Sequence, residues 1–327
     1  MAIQGKLRWE PVFLALGLGL SVGSVFANEA NRPEMTVIEW LKSMRQAASS
    51  RTYQGVVSYV KDQQMDSFKL YHRVVDGQER ERLISMNSPI REVVRTGGTV
   101  SRYSADSQQV VVETKPSGQS VLMNLPEDPA LLERYYRIHL RGQEYVAGAL
   151  TQVVALEPRD EYRYSRLIWI DADTRLPLKL DVLNEDGQSV EQMVFMTINT
   201  KDPIAPTDLE PTSGARSAIT QISHRETQPV KGLKWSIKDV PSGFQIVSYS
   251  TLKRPPSSMP VEHILLSDGF SAVSIYIEGG EGRKATGTRK MGAINVDSVE
   301  LDGHLVTVMG EVPLKTVSMI VHGVTEK

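Results

Sequence analysis

Two aspartates separated by a single residue, Asp171 and Asp173, have carboxylate side chains that can perform general acid–base catalysis. They lie in residues 171–177 (DADTRLP), between two segments that alternate in the manner of β-strands. Aspartate and threonine side chains accept hydrogen bonds from turn amides, and a proline can open a strand where no N–H is needed. Because acid–base catalysis needs a pocket and a partner group that the sequence does not show, we interpret these residues as a hairpin turn.

The spacing of the histidines and the lack of cysteine give no further sign of a catalytic or metal-binding site. The six histidines are scattered, and none stands at metal-ligand spacing from another. With no cysteine, the chain lacks thiol nucleophiles, thiolate metal ligands and disulfides. No P-loop, dinucleotide fingerprint, HExxH motif or EF-hand loop follows the N-terminal leader. We therefore predict a binding protein rather than an enzyme, with no cofactor and no metal.

Four basic residues between positions 283 and 290 form a local cluster among glycines. Such clusters usually lie in a solvated loop, but this one could also contact acidic lipid head groups or an acidic partner peptide. The formal net charge of the whole chain is −2, and neither half carries the basic field of a nucleic-acid binder. From charge and periodicity, the predicted partner-binding residues are Arg254, Phe270, Tyr276, Arg283, Lys284, Arg289 and Lys290.

The first 27 residues have the order of a cleavable secretory signal. Lys6 and Arg8 precede the apolar residues 12–20, and small side chains lead to a cleavage site after Ala27. The apolar run is interrupted by glycines and is shorter than the about 20 residues of a spanning helix. An uncleaved membrane anchor is the alternative. The leader predicts export to the periplasm.

The first half of the mature chain reads as many strands with few helices. Residues 36–50 show helical spacing and a capping box, and residues 126–140 predict a second helix with a proline at its first position. The remaining segments up to residue 201 alternate with a period of two and are separated by turn signals. This order predicts one large curved antiparallel sheet, with helices covering one face.

A sheet that curls around a helix can enclose a lipid, or its own side chains can fill the space. Periodicity alone favours a plain core for any single residue, and both possibilities stay open for the set. The candidate lipid-binding residues that the pattern turns inward are Val57, Tyr59, Phe68, Leu70, Leu122, Met123, Trp169 and Leu180.

The second half begins with a proline-bearing stretch and continues as a small α/β unit. Residues 202–214 hold three prolines and predict an extended linker. Several strands follow, and Pro313 opens a predicted final helix over residues 314–322. The predicted boundaries are a signal peptide at 1–27, an N-terminal domain at 28–201, a linker at 202–229 and a C-terminal domain at 230–327.

Specific strings resemble the RseB/MucB family of periplasmic regulators of the envelope-stress sigma factor. The resemblance covers essentially the whole mature chain and is most specific in the second domain. The strings that carry it there are Trp235, PSGF at 241–244, VEHILLSDGF at 261–270, VSIYIE at 273–278, GAIN at 292–295 and VTVMGEVP at 306–313. In the first domain they are Trp40, Met44, Tyr53, Gly55 and IDADTRLPLKL at 170–180.

The resemblance implies a fold of class α+β and a regulatory function. The large domain is expected to be a half-open antiparallel β-barrel like that of lipoprotein carriers, with covering helices, followed by a small α/β domain. The small domain is expected to bind the periplasmic segment of a transmembrane anti-sigma factor and to shield it from proteolysis. A lipid or lipopolysaccharide ligand is expected to release that segment. The two ligands would then lower each other's affinity, with a hinge near Pro203, Pro206 and Pro211.

Two other classes of function compete with this reading. A periplasmic lipid or lipoprotein carrier is the main alternative, although the second domain argues against a pure carrier. A hydrolase of lipid or envelope polymer would need a nucleophile and a base, which the sequence does not show. A homo-oligomer is possible, because an exposed apolar patch would favour self-association.

Overall fold

The computed structural model describes residues 35–327 without 88–90, 105–108, 115–124, 213–218, 223–224, 228–231, 254–259 and 280–284. The predicted signal peptide lies outside this part of the chain, as do Leu122, Met123, Arg254, Arg283 and Lys284. Residues Met35–Lys327 belong to one compact unit. Within the described ranges, no helix is both long and apolar enough to cross a bilayer.

The first sheet is open and mostly antiparallel. In the described residues it has twelve strands in the order β12-β6-β5-β4-β3-β2-β1-β11-β10-β9-β8-β7, and its two edge strands do not meet. The pairing of β12 with β6 is parallel. This is the large antiparallel sheet that the sequence pattern predicts, in the half-open form that the family resemblance implies. Its strands are β1 (Tyr53–Lys61), β2 (Gln64–Val75), β3 (Gln78–Ser85), β4 (Arg91–Thr96), β5 (Thr99–Ser104), β6 (Gln109–Thr114), β7 (Tyr136–Val146), β8 (Ala149–Pro158), β9 (Ser165–Asp171), β10 (Pro177–Leu183), β11 (Ser189–Asn199) and β12 (Ile219–Ile222).

Helix α1 (Val37–Ser50) covers part of this sheet. Its start is the predicted capping box: the Thr36 side chain accepts from the Glu39 backbone N–H, and the Glu39 carboxylate accepts from the Thr36 N–H at 2.7 Å. The buried side of the helix carries Trp40 and Leu41, which pack with residues of β7, β8 and β9. The helix therefore covers the end of the sheet that β7, β8 and β9 form.

The second predicted helix is wrong over most of its length. Only residues Pro129–Arg134 form a helix, of the 3-10 type, capped by the Asp128 side chain. From Tyr136 onward the chain is strand β7, which pairs with β8 over its length. Tyr136 and Ile138 fit a helical face equally well in sequence, but the neighbouring β8 strand offers a ladder of hydrogen bonds. Tertiary pairing overrides the local pattern here.

The segment predicted as an extended linker is attached to both sheets. Its start holds a 3-10 helix (Pro206–Leu209) with Leu209 buried, and Ile204 is buried beside it. Arg73 Nη1 donates to the Ile204 carbonyl at 3.0 Å, and Arg82 Nη1 donates to the Asp208 carbonyl at 3.1 Å. Strand β12 then joins the first sheet, and β13 (Arg225–Thr227) joins the second. The proline-bearing stretch is thus a strap on β2 and β3, and the chain crosses between the sheets after β12.

The second sheet has seven strands in the described residues, in the order β13-β15-β16-β17-β20-β19-β18. Helix α2 (Leu314–Gly323) packs on one face, with Val317, Ile320 and Val321 inward, as the sequence predicts for its final helix. A separate pair, β14 with β21, lies beside it. The strands are β14 (Trp235–Ile237), β15 (Gln245–Lys253), β16 (Pro260–Ser267), β17 (Ala272–Glu278), β18 (Gly287–Met291), β19 (Ile294–Leu301), β20 (His304–Gly310) and β21 (Val324–Glu326).

Candidate functional site

The aspartate pair is a turn, as predicted. Asp171 Oδ1 accepts from the backbone N–H of Asp173 at 2.8 Å and of Thr174 at 2.6 Å. Pro177 then opens β10. With its oxygen bound to turn amides, the Asp171 carboxylate stabilises the β9–β10 hairpin, and the geometry gives it a structural role.

Among the histidines that the structure describes, the most buried one is also structural. His72 is fully buried on β2, its ring stacks on Tyr53 with centroids 4.6 Å apart, and its Nδ1 lies 2.8 Å from the Arg51 carbonyl oxygen. Burial lowers the pKa of His72 below its ordinary value. Among the described residues no group of three His, Asp or Glu side chains could hold a metal ion.

Strand register brings five of the predicted lipid-binding residues onto one face of the first sheet. Val57 pairs with Phe68, and Leu70 follows two residues later on β2. Tyr59 pairs with Met193, and Met193 pairs with Leu180. Because side chains alternate along a strand, these pairings place Val57, Tyr59, Phe68, Leu70 and Leu180 on the same side.

The space among these residues is filled by neighbouring side chains. Val57 is 2% exposed and Leu70 is fully buried, and both pack with Phe195 and Met193 in one core. Such a core is dense, so a lipid chain that enters at this point must displace protein side chains. The interior therefore offers a packed apolar core.

Trp169 belongs to the same buried cluster as Val57 and Leu70, although its strand register places it on the opposite face of the sheet from Leu180. On β9, Ile168 pairs with Leu180, and Trp169 pairs with Lys179. Alternation then turns Trp169 away from the Leu180 side. Its indole Nε1 donates to Glu144 Oε2 at 2.8 Å, and the Lys179 ammonium lies 3.9 Å from its ring centroid. The periodic pattern of β9 is apolar on both faces, so the sequence alone could not separate the two.

Arg163 is the centre of a junction between the two sheets. Its side chain is fully buried, and its Nε donates to Asp268 Oδ2 at 2.5 Å, where Asp268 is also fully buried. The same guanidinium donates to the Ser242 carbonyl at 2.6 Å and pairs with Asp160. Its central carbon lies 4.8 Å from the ring centroids of both Tyr135 and Phe244. One arginine thus joins the loop before β9 to two loops of the second sheet.

Arg166 forms the second half of this junction. It donates to Glu311 Oε1 at 2.7 Å and to Ser271 Oγ at 3.4 Å, and it lies over the Phe270 ring at 4.4 Å. Phe270 also meets the edge of Tyr136. Phe270, predicted to contact a partner, therefore packs against the first domain: an Asp-Gly-Phe turn resembles an exposed loop in sequence, and tertiary packing covers it.

Smaller contacts complete the junction. Asn295 Nδ2 donates to the Tyr164 hydroxyl at 2.8 Å, and Thr316 Oγ1 donates to the Tyr162 carbonyl at 2.9 Å. The Gly292 backbone N–H donates to Asp62 Oδ2 at 2.7 Å. These residues were missed in sequence because the partners stand 131, 154 and 230 positions apart, and no local pattern reports such pairs.

One half-buried acid, Glu191, lies where the first sheet meets the β18–β19 turn. The Tyr59 hydroxyl and the Ala293 backbone N–H neighbour its carboxylate and favour the charged form. Burial raises the pKa of Glu191, and the Glu311 carboxylate adds to that effect. Tyr59 of the apolar core is therefore linked through Glu191 to the second domain.

Two of the predicted partner-binding residues, Arg289 and Lys290, lie on the edge strand β18. All five residues of this strand are exposed. Within the described part of the chain, neither side chain forms an ion pair, and β18 pairs on one side with β19. Tyr276, also in the predicted set, lies on β17 and stacks on His263 of the neighbouring strand β16. In the sheet order, β17 is three strands away from β18. The structure therefore separates Tyr276 and Phe270 from the basic edge.

Comparison with known proteins gives one consistent match. The N-terminal domain model of MucB/RseB matches residues 36–213, and the C-terminal domain model matches residues 229–325. The chain is 29% identical to the sigma factor AlgU regulatory protein MucB of Pseudomonas aeruginosa, over 96% of both chains. It is 25% identical to the sigma-E factor regulatory protein RseB of Escherichia coli K12, over 95% of this chain and 97% of that protein.

Solved structures agree with these matches. A crystal structure of MucB in complex with MucA(peri) has a TM-score of 0.71 and 27% identity, and it covers 88% of this chain and 98% of that one. A crystal structure of MucB has a TM-score of 0.63 with 27% identity, over 88% and 97% of the two chains.

Proposed function

Because the chain belongs to the MucB/RseB family, we propose that it is a regulatory protein that binds the periplasmic segment of a membrane anti-sigma factor. The observation that carries this proposal is the likeness, over 88% of the chain, to MucB crystallised with MucA(peri). The chain would act by occupying that segment and shielding it from the protease that starts regulated proteolysis. This is the work of a binding protein rather than an enzyme.

The proposal includes the compartment and the boundaries of the mature protein. Cleavage after Ala27 would release residues 28–327 into the periplasm, since residues 1–27 have the order of a secretory signal. The N-terminal domain would end near residue 201 and the C-terminal domain would begin near residue 230, with the strap and the crossing segment between them.

We place the partner segment on β18. An edge strand presents unpaired backbone N–H and C=O groups, and an extended peptide can add to it as a further strand. Arg289 and Lys290 give this edge two exposed positive charges, which favour an acidic segment. Neither side chain forms an ion pair within the described residues, so no such pair has to break before a partner binds. The edge is therefore ready to accept a partner.

A lipid ligand in the first domain would act on this edge through shared contacts. Tyr59 packs against the apolar core, and its hydroxyl lies beside the Glu191 carboxylate, which also neighbours the Ala293 backbone. Asp62, which directly follows β1, binds Gly292 in the same turn. Residues 292–293 connect β18 to β19, so a lipid that spreads β1 and β11 would disturb the turn that ends the proposed binding edge. By linkage, the partner segment would weaken lipid binding by the same factor.

A protease-protection assay tests the function. The mature protein is mixed with the periplasmic segment of the cognate anti-sigma factor and its initiating protease, with and without lipopolysaccharide. We expect protection that lipopolysaccharide reverses. Lack of protection by the folded protein would contradict the proposal and favour a lipid or lipoprotein carrier.

Matched charge reversals locate the binding edge in the same assay. Arg289→Glu with Lys290→Glu should lose protection, because both changes oppose an acidic segment. Lys234→Glu with Lys238→Glu makes the same change of charge at exposed positions on the β14 side of the same domain and should retain it. Equal loss in both variants would indicate a general charge effect and would contradict the assignment to β18.

A further inference from the structure

The tip of the β7–β8 hairpin exposes apolar side chains that the proposed function does not use. Residues 145–150 (YVAGAL) contain no charged side chain. Tyr145 is 76% exposed and Leu150 is 36% exposed, and the two residues lie directly opposite each other across the hairpin. An aromatic and a branched aliphatic side chain therefore stand side by side in solvent at the end of a hairpin.

The turn that joins the two strands keeps this tip short and uncharged. Ala147 has a φ of 50° and Gly148 a φ of 78°, the pattern of a tight two-residue turn with both central residues left-handed. Asparagine or aspartate usually takes the first of these positions, because an alanine side chain disfavours a positive φ. Alanine at this position leaves the tip without a polar side chain.

The base of the hairpin is held firmly. Thr151 Oγ1 donates to the Glu144 carbonyl at 2.6 Å, and Gln152 Nε2 donates to the Arg141 carbonyl at 2.5 Å. The Glu144 carboxylate accepts from the Trp169 indole at 2.8 Å. The acid nearest to Tyr145 is thus engaged at the base, while the exposed Arg141 lies behind the tip. The hairpin presents an apolar end with a cationic residue behind it.

We propose that this tip anchors the protein to a membrane surface by entering the interfacial region of the bilayer. Tyrosine favours that region because its ring is apolar and its hydroxyl stays hydrated. Leu150 would enter with it, and the contact would stay in the hydrated interfacial region, because β7 is an edge strand whose outer backbone groups need water. Arg141 stands where a lipid phosphate would lie. The contact is shallow and reversible.

This anchor is separate from a lipid site inside the first sheet. The interior residues are packed around Val57 and Leu70, whereas the tip is in solvent at the far end of β7 and β8. An anchor at the tip would keep the protein on the surface from which a membrane-bound partner projects. It requires no occupant of the β18 edge, so the two sites can be tested independently.

Vesicle binding tests the anchor in the absence of any partner. Mature protein is sedimented with vesicles of phosphatidylethanolamine and phosphatidylglycerol in equal parts. Tyr145→Ser with Leu150→Ser should lower the partition coefficient by about tenfold or more, since two apolar side chains no longer leave water. The control, Met196→Ser with Val247→Ser, removes two side chains of 57% and 55% exposure elsewhere and should bind as the wild type does.

A spectroscopic variant reports insertion directly. The added tryptophan in Tyr145→Trp should shift its emission to shorter wavelength when vesicles are present, and the wild type should not shift. Wild-type protein that stays in the supernatant, or equal binding by both serine double variants, would overturn the anchor. So would a serine tip variant that loses the anti-sigma segment in solution, since the tip would then be a protein contact.

Discussion

Arginines stand at two very different sites in this molecule, the junction around Arg163 and the open edge at Arg289. Arg163 is fully buried, binds two carboxylates and a carbonyl, and lies between two aromatic rings. Arg289 is exposed on an edge strand with no ion pair inside the described part of the chain. Burial decides what each charge can do: the first fixes two domains to each other, and the second is available to a partner.

The largest expected effect comes from removing the junction arginine. Arg163→Ala leaves Asp268, which is fully buried, without its counter-ion. Removal of one member of a buried pair costs about 3–5 kcal/mol of unfolding free energy. Denaturant unfolding measures it, and Arg289→Ala, a surface change expected to stay within about 0.5 kcal/mol, is the control. Similar values for the two variants would break the comparison.

A smaller loss is expected from a single hydroxyl at the same junction. Tyr164→Phe removes the acceptor of the Asn295 side chain, whose other hydrogen bond is to the Val312 carbonyl. The buried amide would then be partly unpaired, at about 1–2 kcal/mol of unfolding free energy. Tyr145→Phe removes a hydroxyl from a side chain that is 76% exposed and should leave unfolding unchanged. A Tyr164→Phe protein as stable as the wild type would show that the junction tolerates an unpaired amide.

The contrast between buried and exposed groups also predicts how protein stability changes with pH, through the buried His72 of the first sheet. Burial lowers the pKa of His72, so the unfolded chain binds a proton more readily than the folded one below about pH 6.5. Its contribution to stability is complete above that pH and is lost as the pH falls toward the lower folded value. Melting temperatures between neutral and acidic pH should fall less steeply in His72→Gln than in the wild type.

The exposed His322 supplies the control for that measurement. It lies in the last turn of α2, where its Nδ1 is 2.7 Å from the Ser318 carbonyl oxygen. His322→Gln makes the same substitution at an exposed imidazole, so the comparison of the two variants isolates the effect of burial. A profile that His322→Gln flattens and His72→Gln leaves unchanged would contradict the assignment to the buried ring.

The smallest effect on stability is expected at the edge itself. Arg289→Glu with Lys290→Glu should change unfolding by no more than about 0.5 kcal/mol. The affinity for the anti-sigma segment should nevertheless fall by about tenfold, which corresponds to about 1.4 kcal/mol. Titration calorimetry measures the affinity, and the double reversal at Lys234 and Lys238 is the control. A variant that unfolds more easily than the wild type would mean that the edge is part of the structural core.

Elements with local signals could be predicted from the sequence. The capping box of Thr36 and Glu39 marks the start of α1, and the spacing of residues 171–177 predicts the hairpin turn. Strand β17 alternates along its length and has glycines near both ends, and these local signals are sufficient to indicate a strand. In each case the interacting groups stand within a few residues of each other.

Features that depend on residues far apart in the chain could not be predicted from the sequence. Residues 136–140 fit a helix in sequence and become a strand because β8 pairs with them. The face occupied by Trp169 follows from its register with β10, and Phe270 is partly buried against residues of the first domain. Arg163 and Asp268 are 105 positions apart, and neither has a neighbour in sequence that signals the pair. The candidate edge was predicted only as a basic cluster.

Hydrogen–deuterium exchange tests the division between junction and edge most directly. The mature protein is exchanged with and without the periplasmic segment of the cognate anti-sigma factor, and peptides across both domains are compared. We predict new protection of the amides of residues 287–291, since an added strand would pair with the side of β18 that faces away from β19. Peptides around Asp268 and Arg163 should keep the protection they already have. Protection that appears only at the junction, with residues 287–291 unchanged, would contradict the account.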